Sequence, residues 1–128
     1  MTYDLTHFSI DDFLRARSEG DVTFETSAKN LENFFKIWIK KATPNVLVDL
    51  RGRAFKMSER EIREISESFA KFGLGYLNKV AFVYDVHPKF DEAKFLEFLA
   101  RAKGMRLRSF GLYEDAIEWL GTSSSVTA

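Results

Sequence analysis

The residues best placed to do chemistry are Asp49 and Arg51, near the end of the apolar run Val46 to Gly52, Val-Leu-Val-Asp-Leu-Arg-Gly. Residues two apart on a strand share a face, so this carboxylate and guanidinium can meet each other or one ligand. A charge inside a sheet is costly unless paired. One reading therefore has Asp49 bonded to an arginine, a lysine or the backbone N–H groups of the next loop. The other has Asp49, Arg51 and the loop from Gly52 to Met57 lining a cleft at the sheet edge. A second apolar run, Lys79 to Tyr84, ends in Asp85 and His87, which strand order could bring beside Arg51. A Ser58–His87–Asp85 triad can be drawn on paper. It lacks the Gly-x-Ser-x-Gly elbow that would expose the nucleophile, and Ser58 has a simpler use. It stands three residues before Glu61, the spacing of a capping box at a helix start. Ser58 is also the one candidate phosphorylation site, because phosphate is favourable at a helix amino terminus.

Other chemistries lack material. The chain has no cysteine and two histidines, His7 and His87, so no metal site and no cofactor is expected. Gly73-Leu-Gly75 follows a helix and lacks the third glycine of a dinucleotide fingerprint. The 19 basic residues equal the 19 acidic ones, leaving no global field to attract nucleic acid. Met-Thr-Tyr-Asp-Leu lacks a signal-peptide layout. No apolar run approaches the roughly 18 residues of a membrane span. The expectation is a soluble, cytoplasmic, non-enzymatic protein with no integral membrane association.

The elements that must position these residues follow from periodicity. At 128 residues one domain is expected. Tyr3–Ile10 and Phe13–Arg17 read as a hairpin. Thr23–Lys41 reads as a helix with Leu31, Phe34, Phe35 and Trp38 on one stripe; Thr43-Pro44-Asn45 stops it. Val46–Leu50 and Lys79–Tyr84 are continuous apolar runs, the mark of strands buried on both faces. Between them Ile62, Ile65, Phe69 and Phe72 mark a helix whose wet side carries Glu59–Arg63, Arg60–Glu64 and Arg63–Glu67 pairs. A third helix spans Phe90–Lys103, a strand Met105–Phe110 and a last helix Leu112–Leu120. Residues 122–128 are small, polar and aperiodic, and read as a tail after a domain of residues 1–121. Strands alternating with helices predict an α/β fold with a mainly parallel sheet, an antiparallel amino-terminal hairpin at its edge and about four flanking helices.

The third helix carries two apolar stripes where an outer helix needs one. The second contains Phe95 and Phe98. It is expected to be covered by Tyr113, Ile117 and Trp119 of the last helix, by a second protomer, or by a lipid-sized ligand. Arg101, Lys103, Arg106 and Arg108 follow, and would suit an anionic head group beside such a pocket.

Three stretches carry a resemblance: Val46-Leu-Val-Asp-Leu-Arg-Gly, Lys79-Val-Ala-Phe-Val-Tyr-Asp, and Arg108-Ser-Phe-Gly-Leu-Tyr-Glu-Asp-Ala-Ile-Glu-Trp-Leu. With them the chain resembles the SpoIIAA-like family of STAS and SEC14-type bacterial domains, from about Tyr3 to Leu120. The resemblance implies a STAS-like sheet flanked by helices and a protein-interaction or regulatory role. The partner would be another protein or a second copy of the chain. The alternative implied by SEC14-type relatives is a small amphiphilic ligand. In anti-sigma factor antagonists a serine at the place of Ser58 is phosphorylated. Their Asp-Ser-Ser/Thr-Gly setting is replaced here by Phe55-Lys56-Met57-Ser58-Glu59.

Overall fold

All five strands of the main sheet follow one another across it in chain order, and that progression decides where the helices lie. The computed structural model describes residues 3–8, 13–18, 20–85 and 92–121. In order these form β1 (Tyr3–Phe8), β2 (Phe13–Ser18), β3 (Val22–Thr23), α1 (Phe24–Lys40), β4 (Asn45–Asp49), β5 (Phe55–Lys56), α2 (Glu59–Phe72), β6 (Val80–Val83), α3 (Glu92–Ala102), β7 (Leu107–Phe110) and α4 (Tyr113–Gly121). The main sheet runs β1-β2-β4-β6-β7. β1 is antiparallel to β2, and every other pair is parallel. Successive crossovers of one hand moving in one direction place their helices on one face. The hydrophobic side chains of α1, α2 and α3 accordingly share one core cluster, whereas Ala116 and Leu120 of α4 belong to a second on the opposite face.

Strand alternation supplies both clusters. Val46 of β4 and Val80 and Phe82 of β6 face the three helices; Leu47, Ala81 and Val83 face α4. All four residues of β6 are buried, as a strand covered on both faces requires. The short parallel ladder β3–β5, absent from the sequence reading, ties the segment after β2 to the one after β4. The exposed pair Lys56–Asp21 at 2.8 Å lies beside it.

Ser58 caps α2 in a reciprocal capping box, as expected, and Gly73 ends that helix. Thr23, read as the first helical residue, is instead the N-cap of α1, in a capping box with Thr26. Trp38 is fully buried, its indole N–H donating to Pro44 O at 2.8 Å. Asn78 Nδ2 donates to the same carbonyl at 2.9 Å. The loop that Pro44 ends is thereby held against the sheet. Of the expected ion pairs on α2, Arg60–Glu64 forms at 3.9 Å. Arg63 instead places its guanidinium over the Phe95 ring, 5.3 Å from the centroid. Residues 122–128, expected as a tail, and His87 lie outside the described residues.

Candidate functional site

Asp49 is the last residue of β4 and points to the α4 face, fully buried. Its Oδ1 accepts from the Arg51 backbone N–H at 3.1 Å and from Arg51 Nε at 2.9 Å. Its Oδ2 accepts from Arg51 Nη2 at 2.8 Å and, at 3.4 Å, from Arg15 Nη2. Both structural roles expected of Asp49, an arginine partner and a backbone donor in the next loop, are thus filled by one residue. Burial pushes the Asp49 carboxyl up, but the hydrogen bonds and charge of Arg51 outweigh it and hold the group below the ordinary carboxylate range. The same pairing raises Arg51.

The chain turns immediately after this pair. Gly52 has φ +75° and donates its N–H to Asp85 Oδ2 at 2.7 Å. Asp85 therefore lies at the same carboxyl edge, as expected, and fastens the β4 loop. Tyr113, first residue of α4, completes the group. Arg51 and Arg15 both stack on its ring, their guanidinium carbons 4.8 and 5.8 Å from the centroid. Sequence reasoning missed Arg15 and Tyr113. Nothing local distinguishes Arg15 from any other charged residue on an amphipathic strand; only the β2–β4 ladder brings it to Asp49.

Ser58 Oγ accepts the Glu61 N–H at 3.2 Å, and Glu61 Oε1 accepts the Ser58 N–H at 2.9 Å. Its oxygen thus works as a cap, and Asp85 is occupied by Gly52, so neither is arranged as a member of a triad. Among the described residues no group of three or more His, Cys, Asp or Glu side chains could hold a metal ion.

The third helix differs from expectation. Phe95 is half-buried beneath Arg63 and packs against the three-helix core; Phe98 is 67 % exposed. Tyr113, Ile117 and Trp119 cannot cover them, because α4 packs on the other face of the sheet. Arg106 and Arg108 do not join Phe95 and Phe98 either. Arg106 Nη2 donates to Tyr76 O at 2.8 Å, and Arg108 lies over Phe110 and Trp119 on the α4 side.

A cavity of about 90 Å³ lies instead between the sheet, α1 and α2. Val46 and Phe82 form its floor; Leu31 and Phe34 of α1 and Ile65 and Phe69 of α2 form its walls. Thr26, Ser27, Asn30 and Met57 also line it and remain half-buried, which marks its mouth near the first turns of the two helices. The sequence held a trace of this: Thr26, Ser27 and Asn30 are polar on a helix whose inner stripe is otherwise apolar.

No family model and no curated protein matches the sequence. The structure resembles an uncharacterised protein of the DUF3478 family with a SpoIIAA-like fold from Shewanella loihica PV-4. The TM-score is 0.52 with 14 % identity, over 93 % of this chain and 92 % of that one. The fold is SpoIIAA-like. The likeness spans the whole sheet-and-helix unit, in agreement with the resemblance read from the three sequence stretches. At that identity it concerns fold, and function must be argued from the sites on this SpoIIAA-like chain. No helix among the described residues is long and apolar enough to cross a membrane.

Proposed function

We propose that this SpoIIAA-like domain is a non-enzymatic binding module that takes the apolar part of a small amphiphilic molecule between α1 and α2. The observation that carries the reading is the apolar cavity, walled by core residues of both helices and the sheet and edged by Thr26, Ser27 and Asn30. Ligand sites commonly have this composition, apolar walls with a few polar groups at one end. The alternative polar centre supports no catalytic reading: Asp49 is committed to Arg51, and Ser58 to its helix. About 90 Å³ holds a chain of three or four carbons. The test is therefore an NMR titration of the Leu31, Val46 and Ile65 methyl signals with 1-butanol. Saturable shifts at those methyls are the expected result, and Ser27→Phe, which puts a ring in the mouth, should abolish them. No saturable uptake up to about 1 mM probe, an affinity of only about 4 kcal/mol, would remove the reading.

A second reading, a module that binds a protein or a second copy of itself, is favoured by Phe98, 67 % exposed on α3, and Leu77, 61 % exposed beyond α2. Light scattering on the purified chain and on Phe98→Glu tests self-association. A dimer that the substitution dissolves supports it; a monomer in both excludes this form of it.

A further inference from the structure

We infer that Arg15, Arg51 and Tyr113 form a binding site for a small carboxylate-bearing molecule on the α4 face, separated by the sheet from the apolar cavity. An ionised carboxylate has about four lone-pair positions. Those of Asp49 already meet Arg51 N, Nε and Nη2 and, at 3.4 Å, Arg15 Nη2. Asp85 is engaged by the Gly52 N–H. Arg15 Nε is buried and finds no acceptor among the described residues. Buried donors in folded proteins are almost always matched, so the unmatched N–H marks Arg15 as a guanidinium short of acceptors.

Charge limits the class. Arg15 and Arg51 meet Asp49, and Asp85 adds to the field at Arg51. Arg17, which adds to the field at Asp49, is opposite Asp4 in the β1–β2 ladder and is left out of the contact set. The group therefore carries no surplus for a multiply charged anion. Exposed Glu114 and Asp115 in the first turn of α4 disfavour a more highly charged anion such as a phosphate monoester. Shape completes the argument. A guanidinium presents a planar fork that matches the two oxygens of a carboxylate. Tyr113 holds both guanidinium groups against its ring, the Nε–Nη2 edge of Arg51 being taken by Asp49. Arg15 and Arg51 keep exposed side-chain surface, 27 % and 42 %. Arg15 Nε itself is closed off by the protein, so a ligand meets the terminal guanidinium nitrogens.

The experiment follows the arginine Nε–Hε resonances of the full chain by NMR while acetate replaces chloride at constant ionic strength. The Arg15 signal should move saturably, with a dissociation constant on the order of 10 mM or tighter, while the Arg51 Nε–H stays on Asp49 Oδ1. Arg15→Lys keeps the charge and loses the fork, and should weaken the constant by about fivefold or more. Tyr113→Leu, which removes the platform, serves as the second variant and should weaken it as well. A linear response, or one that chloride reproduces, overturns the proposal and leaves Arg15 as a brace for Asp49. Unchanged acetate affinity in both variants overturns it too. Tighter saturation by sulfate than by acetate overturns the carboxylate class.

Discussion

Glu97 of α3 accepts both the backbone N–H and the hydroxyl of Ser109, at 2.7 and 2.5 Å. Ser109 lies in β7, the outer strand of the sheet. An unpaired strand edge invites pairing with another chain. Here a carboxylate from the preceding helix takes one of the outward N–H groups and closes that position. Lys94 and Arg101, each 3.5 Å from Glu97, offset its charge from the solvent side.

Stability should fall with acidification through Glu97. Burial raises its pKa, but the Ser109 bonds and Lys94 outweigh burial, and the folded value lies below the ordinary 4.5. The unfolded chain therefore takes up the proton first. The contribution is complete above about pH 5 and is lost as pH falls from 4.5 through the lowered folded value. Urea denaturation at neutral pH should show Glu97→Gln less stable by about 1–2 kcal/mol. The difference from wild type should shrink toward pH 3. A constant difference across that range would mean Glu97 acts only through its shape.

Asp49 braces the carboxyl edge. Replacing it with Asn leaves two guanidinium groups facing each other without their counter-charge. Loss of one member of a buried pair costs about 3–5 kcal/mol. Arg51 is 42 % exposed and water screens it, so about 2 kcal/mol is expected here. Arg51→Met should cost less, about 1 kcal/mol, since Asp49 retains Arg15 and the backbone N–H. Equal losses in the two variants, measured by urea denaturation, would contradict this ordering.

Ser58→Ala tests whether the serine does more than cap α2. Loss of the cap should cost about 1 kcal/mol and leave 1-butanol uptake within error of wild type. A large loss of uptake with an unchanged denaturation midpoint would give Ser58 a functional role.

Two glycines with positive φ should respond differently to alanine. At Gly52 (φ +75°) an added Cβ meets nothing within 4 Å, and only the left-handed backbone resists, at about 1–2 kcal/mol. At Gly75 (φ +84°) the Cβ falls 2.9 Å from Met105 Cβ, and the Gly75 carbonyl also receives Arg106 N–H at 2.7 Å. Backbone strain and overpacking together should cost about 3 kcal/mol or more. Thermal unfolding of the two variants checks the order.

Much of the fold was legible because it is written in local patterns. Ser58 and Glu61, with the Ile62, Ile65, Phe69 stripe, suffice to define α2, and the apolar runs at β4 and β6 announce a sheet covered on both faces. Asp49 and Arg51 stood out because charge beside a buried strand demands a partner, and the partner was nearby in sequence. The use of Phe95 and Phe98 was not legible. Periodicity shows that a helix has a second apolar stripe but not what faces it. Here Phe95 lies beneath Arg63, and Phe98 stays exposed.

By itself the sequence determined the kinds of element, their order and the buried strands with a charge at their edge. Those properties depend on side-chain alternation, capping and turn residues within a few positions of one another. Only the tertiary structure decided that α4 crosses to the opposite face, that Arg15 and Tyr113 reach Asp49, and that a cavity opens between α1 and α2. Arg15 and Asp49 are 34 residues apart in the chain. Their meeting depends on strand order and register, which no local pattern encodes.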